Sequence, residues 1–428
     1  MAVIVGGIGA SHSPTIGFAK DAHKEADPAW SPIFAGFAEI RRWVRSQKID
    51  AIVMIYNDHI TSFFFDHYSA FCLGIDDHYR AADEGGGPRK VAPVRGHAPL
   101  AQHIGACLVA DEFDMSFFQG KPLDHGCLSP LGMLADGDAP WEGAIVPLQV
   151  GVLQLPIPNA RRCYKLGQSL RQAIQSFPQD LRVAVMATGG LSHQVNGERA
   201  GFINEAWDNE FLELLETRPE QLVRTRLADY AALGGMEGAE VIMWLVMRGA
   251  LSNTVRLAHK ATYAPSVTNI ATLVFEDTGA PPVDEVLDAY RAHVGYELAG
   301  AEAVPGTYPF TLARSLANFR VNDFLHRLID PEHRARFVAD FDALATEYGL
   351  TTEERDLIQH RRWLDMVRRG VSFFVLEKMA AVLGVSNPEI YAAFRGQTLE
   401  QFLSTRKQPI TYSVAGDLDR ADLDHVDG

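Results

Sequence analysis

The sequence lacks any apolar stretch near the roughly 20 residues needed by a membrane-crossing helix. Its longest uninterrupted runs, such as Val241 to Met247, stop far short of that. Cysteine is scarce, with Cys72, Cys107, Cys127 and Cys163 standing singly and no CxxC spacing. That pattern argues against a disulfide scaffold and a thiolate metal site, and fits a reducing compartment. Positive charge is in deficit: 39 Lys and Arg against 54 Asp and Glu give a formal net charge of −15. A chain of that sign is poorly suited to a phosphate backbone, so no nucleic-acid partner is expected. Its densest basic run, His360 to Arg362 with Arg368 and Arg369, reads as a solvated helical face or a domain contact. The opening MAVIVGGIGASHSP has no basic n-region and reaches glycine before an apolar h-region forms, so it reads as a strand and not a signal peptide. The cytoplasm is the expected compartment, with no membrane association. No internal repeat is visible.

What remains is an ordinary globular composition, 47% hydrophobic and 22% charged over 428 residues. That length exceeds what one core usually fills and implies two domains. Three short apolar runs share a feature. Val3 to Val5 leads into GGIGASHSP and His12, Ala51 to Tyr56 into Asn57, Asp58 and His59, and Leu181 to Ala187 into TGGLSHQ and His193, each histidine carried by a small or polar turn. Continuous apolar runs of this length suit strands covered on both faces. In an open α/β sheet, functional loops gather at the carboxyl ends of such strands. Val146 to Leu155 and Asn269 to Phe275 read as further strands, and Ile33 to Gln47, Ala160 to Phe177 and Gly201 to Thr217 as helices. Asp83 to His97, rich in glycine and proline, reads as a loop excursion. The expected fold is α/β, a mixed central sheet covered by helices, followed by a smaller all-helical C-terminal domain.

A helix starting near Gly235 places Glu237 and Glu240 three residues apart on one face, then becomes apolar on all sides through Met247. A carboxylate leading into a buried helix is costly unless it is paired or binds a metal. For at least one of the two glutamates, favouring the positive end of the helix dipole is a sufficient alternative. Two imidazoles and a carboxylate leave open positions on a metal, as in non-haem Fe(II) oxygenases. A zinc hydrolase uses the same residue types, and the residues alone do not separate the two. His125, preceded by Asp124 in LDHGCLSPL, is a fourth candidate histidine.

GIGASHSP, IYNDH, DHGCLSPL, GGLSHQ and MEGAEVIMWLVMRGAL, in that order, resemble the protocatechuate 4,5-dioxygenase type of extradiol ring-cleaving dioxygenase over residues 1 to about 280. The resemblance implies Fe(II) held by His12, His59 and Glu240, with Glu237 the less favoured carboxylate. It also implies an acid/base role for His193 and a substrate-side hydrogen bond from His125. The region from Phe310 to Leu403 resembles the family's separate small subunit, here fused, which closes the mouth of the active site. This implies a catalytic domain over 1–280, a linker over 281–309 and a helical lid with its tail over 310–428. Fusion is similar to gallate dioxygenases more than to the two-subunit enzymes. On that resemblance Thr268 and Asn269 lie near the substrate carboxylate. Glu377, Tyr391 and Tyr412 hold a further ring hydroxyl, reaching across from the other subunit of a homodimer. Gallate and O2 would then give 4-oxalomesaconate. Protocatechuate or 3-O-methylgallate as substrate, a zinc-dependent hydrolase and a non-catalytic binding protein stand as alternatives.

Overall fold

The computed structural model describes residues 1–87, 89–137, 139 and 141–408. The chain divides into two units, Met1–Ala299 and Gly300–Gly428. In the first, ten strands form: β1 Val3–Ala10, β2 Ala51–Tyr56, β3 Phe71–Gly74, β4 His78–Tyr79, β5 Val94–Arg95, β6 Ser116–Phe118, β7 Ala144–Val150, β8 Arg182–Thr188, β9 Val255–Tyr263 and β10 Ile270–Asp277. Eight of them make one sheet in the order β6-β3-β7-β2-β8-β1-β10-β9, and β4 and β5 pair separately. Its centre, β7-β2-β8-β1, is parallel, while β3 joins β7, and β10 joins β1, antiparallel. The sheet is thus mixed, as expected. Every residue of β2 and β7 is buried, which is the consequence of helices covering both faces and the reason these strands carry no polar alternation.

The covering helices are α1 Pro14–Asp21, α2 Ser31–Gln47, α3 Ala98–Ala110, α4 His125–Gly132, α5 Ala160–Ser176, α6 Glu205–Thr217, α7 Pro219–Arg224, α8 Leu227–Gly234, α9 Ile242–Ala250 and α10 Asp284–Leu298. β1 continues through the glycine-rich segment that reads from sequence as a turn. The reason is close approach: a Cβ on Gly9 would meet the Trp244 ring at 2.3 Å, and one on Gly7 would meet Met247 Sδ at 2.4 Å. Those glycines let α9 press directly onto the sheet, so glycine marks packing here and not a break. The segment 281–309, expected as a linker, contains α10. That helix buries Leu287, and its Arg291 Nε donates to Ser176 O at 3.0 Å, tying it to the end of α5.

The second unit is helical throughout its described residues, from Leu312–Ala317 to Leu399–Ser404. Phe324, Leu344, Met366, Leu376 and Ile390 form its core. Local sequence sets several helix starts: Thr351 with Glu354, Ser386 with Glu389, and Thr398 with Gln401 each complete a reciprocal capping box. The basic run is neutralised within this unit, since Arg362 and Arg368 pair with Asp365 and Arg369 pairs with Glu353. Among the described residues no helix is long and apolar enough to cross a membrane.

Candidate metal centre

The carboxyl ends of three adjacent parallel strands supply three histidines. β1 ends at Ala10, opposite Thr188 at the end of β8, and β8 pairs in turn with β2 up to Ile55 opposite Ala187. His12, His59 and His193 follow these ends within a few residues, so the topology alone brings their loops together. The fourth element is a 3-10 turn, Glu237–Val241, which precedes α9 and carries Glu240. One ligand atom each from His12, His59 and Glu240 all lie within 4.8 Å of one another.

Both imidazoles are oriented through Nδ1, and Nε2 of His59 lies 3.3 Å from the Asn57 amide. Thr188 Oγ1 donates its single proton to Gly126 O at 2.9 Å, so it accepts from His12 Nδ1 at 3.0 Å. The His12 Nε2 lone pair is left free, 3.5 Å from Glu240 Oε1. Burial lowers the pKa of His12 below its ordinary value, which keeps the imidazole neutral as a metal ligand must be. His59 is gripped by fully buried Asp124, whose Oδ2 accepts from both the backbone N–H and Nδ1, each at 2.8 Å. Burial alone would raise Asp124, but the hydrogen bond and charge of His59 outweigh it and lower the carboxyl. This carboxylate–imidazole pairing orients the ring and fixes Nδ1 as the protonated nitrogen.

Glu240 is 5% exposed and accepts the Gly190 N–H at 2.5 Å. Burial raises its pKa, and His12, His193 and His59 outweigh that effect, holding the carboxyl well below the ordinary carboxylate range. Glu237 lies elsewhere: its Oε2 accepts the Val195 N–H at 3.1 Å, and it is not in the three-residue cluster. The one-turn spacing that makes the two glutamates alternatives in sequence separates them in the fold, where Glu240 meets His12 and Glu237 meets Val195.

His193 sits in a turn braced on both sides. Its backbone N–H donates to Gly234 O at 2.9 Å and its carbonyl accepts from Gly238 at 3.0 Å. Gly235, at φ +89°, makes this possible, since a Cβ there would lie 2.1 Å from His193 O. His193 Nδ1 donates to Leu191 O at 2.9 Å, which leaves Nε2 free at 3.9 Å from Glu240 Oε1. His125 completes the cluster. It stacks on His59 with ring centroids 4.0 Å apart, and Glu84 accepts from both its backbone N–H and its Nδ1.

Thr268 pairs with His193 across an isolated bridge and lines a cavity of about 370 Å³ with Ser13, Thr15 and Trp30. Asn269 is buried, and its Nδ2 donates to Asp208 Oδ2 at 2.8 Å. Asp208 also takes the Ser192 hydroxyl and backbone N–H, so Asn269 belongs to the brace behind the His193 turn. In the helical unit, Glu377 Oε1 accepts from Asn387 Nδ2 at 2.6 Å, and Tyr391 stacks on Phe373 with centroids 5.7 Å apart. Tyr412 lies outside the described residues. Sequence reasoning missed Thr188 and Glu84. Asp124 was visible only as the neighbour of His125, although an acidic residue beside a candidate ligand is a usable signal for an orienting partner.

Residues 6–275 match the family model for the catalytic LigB subunit of aromatic ring-opening dioxygenase, and residues 321–407 match that for the LigA subunit of the aromatic-ring-opening dioxygenase LigAB. The chain belongs to the aromatic ring-opening dioxygenases. A gallate dioxygenase of Pseudomonas putida is 58% identical over 335 residues, covering 78% of this chain and 98% of that protein. More distantly, a 2,3-dihydroxyphenylpropionate/2,3-dihydroxicinnamic acid 1,2-dioxygenase of Klebsiella pneumoniae is 24% identical over 292 residues, 56% of this chain and 88% of its own. A Pseudomonas putida enzyme of the same description is 26% identical over 310 residues, 60% of this chain and 92% of its own. This dioxygenase therefore carries, in one chain, regions matching both subunits. Its cluster of two imidazole donors and one carboxylate has the 2-His-1-carboxylate composition that suits Fe(II) in ring-cleaving oxygenases.

Proposed function

We propose that this enzyme opens the aromatic ring of gallate with O2, beside its hydroxyl pair, to give 4-oxalomesaconate. The convergence of His12, His59 and Glu240 carries the proposal, and the 58% identity to a gallate dioxygenase supports the substrate. The residues that would hold Fe(II) are His12 and His59, through Nε2, with Glu240. When bound, Fe(II) supplies the open positions at which ring hydroxyls and O2 meet and exchange electrons.

The remaining work belongs to side chains. His193 takes the proton of a ring hydroxyl at Nε2, because its Nδ1–H is committed to Leu191 O. His125 hydrogen-bonds on the substrate side. Thr268 and Asn269 serve the substrate carboxylate; the pairing of Thr268 with His193 supports the first, and Asn269 also steadies the turn that carries His193. Glu377, Tyr391 and Tyr412 of the helical unit read the additional ring hydroxyl, from the partner in a homodimer, and that unit excludes water from the reaction. A pocket built to pair a hydroxyl rejects an analogue lacking it, since its polar groups are then left unpaired.

Oxygen uptake by anaerobically purified protein reconstituted with Fe(II), offered gallate, protocatechuate and 3-O-methylgallate separately, tests this reading. One-to-one consumption favouring gallate is expected. Preference for another of the three discards the hydroxyl-reading assignment and keeps the ring-opening chemistry, while metal binding without uptake on any catechol points to a hydrolase.

A further inference from the structure

The stacked pair His59 and His125 is gripped in the same way at both rings. Asp124 accepts the backbone N–H and Nδ1 of His59. Glu84 does the same for His125, Oε1 taking the backbone N–H at 2.9 Å and Oε2 taking Nδ1. The two carboxylates differ in setting. Asp124 is fully buried as the N-cap of α4, whereas the Glu84 side chain is 32% exposed and comes from the glycine-rich excursion that sequence alone leaves without a role. That excursion is itself built to present Glu84. Asp83 Oδ1 accepts the backbone N–H groups of Gly85 and Gly87 at 2.9 and 3.0 Å. Both glycines have positive φ, +97° and +86°, a conformation that costs other residues free energy.

We propose that Glu84 is the positioning residue of His125: it fixes the Nδ1–H tautomer and the ring orientation, so that Nε2, on the opposite edge, is the nitrogen offered to substrate. The proposal rests on the reading of His125 as the substrate-side histidine. A neutral imidazole carries one proton, and which nitrogen holds it is set by the partner of the other. A carboxylate accepts twice and therefore suits two donors. An amide in its place has one acceptor oxygen. If that oxygen keeps the backbone N–H, the NH2 group faces Nδ1 and favours the opposite tautomer. Because Glu84 is partly exposed, its pairing is expected to add little to stability, so a loss of function on its removal separates from unfolding.

The test compares wild type, Glu84→Gln and Glu84→Asp. In metal-free protein labelled with ¹⁵N-histidine, the wild-type His125 should show a protonated Nδ1 and an unprotonated Nε2, and Glu84→Gln should reverse them. With Fe(II) restored, Glu84→Gln should lose about 10–100-fold in kcat/KM, the scale of losing an orienting partner. Bound iron and melting temperature should match wild type, and Glu84→Asp should recover part of the rate. A kcat/KM within about threefold of wild type in Glu84→Gln, whichever tautomer it shows, overturns the proposal. Wild-type protein that consumes no oxygen with any catechol defeats the functional reading instead, and the ¹⁵N result then decides the role of Glu84 alone.

Discussion

Glu240 in the sheet unit and Glu354 in the helical unit are both buried, 5% and 2% exposed, and both stand in the first turn of a helical segment. Their surroundings differ in kind. Glu354 is closed: Arg320 Nε and Nη2 donate at 3.1 and 3.0 Å, and the Thr351 backbone N–H donates at 2.8 Å. Permanently charged and fixed donors use up both oxygens. Glu240 accepts the Gly190 N–H, and its imidazole neighbours His12 and His193 stand at 3.5 and 3.9 Å, at or beyond the limit of a hydrogen bond. A buried carboxylate that faces imidazole nitrogens with space between them has the setting a metal ligand needs, and one saturated by guanidinium is a structural tie. The two look alike in sequence and are separated by what faces them.

The largest effect expected from this contrast is at Glu240. Replacing it with Gln should abolish iron retention and ring-cleaving activity, measured by metal analysis and oxygen uptake, with a folded far-UV spectrum. Next comes the support of His59. Asp124→Asn should weaken Fe(II) affinity by about 10–100-fold, the usual cost of losing an orienting partner, which an anaerobic titration would detect; unchanged affinity would mean that Asp124 only caps α4.

At the closed site the expectation is inverted. Arg320→Met should leave iron content and turnover intact but destabilise the chain by about 1–3 kcal/mol, because a buried acceptor loses its partners. Iron loss in that variant would break the distinction. Its pH dependence sharpens the point. Burial raises the Glu354 carboxyl, and Arg320 and Thr351 outweigh it, so its folded pKa lies below the ordinary 4.5. A depressed carboxyl contributes stability above its unfolded pKa and loses it as pH falls through the folded value. The advantage of wild type over Arg320→Met should therefore be full above pH 4.5 and shrink in acid, followed by thermal unfolding across a pH series. The smallest effect is at Glu237, where Gln should change stability by no more than about 0.5 kcal/mol and leave iron content as it was.

Much of the site was legible because its signal is local. His12, His59 and His193 each follow an apolar run, and a parallel sheet must gather such loops at one edge. Glu240 precedes a helix with no polar face. The choice between it and Glu237 was not legible on local grounds, since both share a face at a spacing of three and only the fold shows Val195 meeting one and His12 the other. Glu84 was hidden for the same reason, as its partner is 41 residues away. In the fold, β2 and β8 were legible as short continuous apolar runs, and α2 and α5 as the helices between strands. The glycines of β1 misled because glycine signals a turn locally, while here it admits Trp244 and Met247 from a helix more than 230 residues later. Helix α10 was obscured by Pro281 and Pro282 just before it, which do not prevent a new helix at Asp284.

The central claim, that His12, His59 and Glu240 form the iron site, is tested most directly by anaerobic Fe(II) titration of wild type, His12→Ala, His59→Ala, Glu240→Gln and Glu237→Gln. One tightly held iron per chain in wild type and Glu237→Gln, and none in the other three, is the predicted result. Iron retained by Glu240→Gln and lost from Glu237→Gln would contradict it.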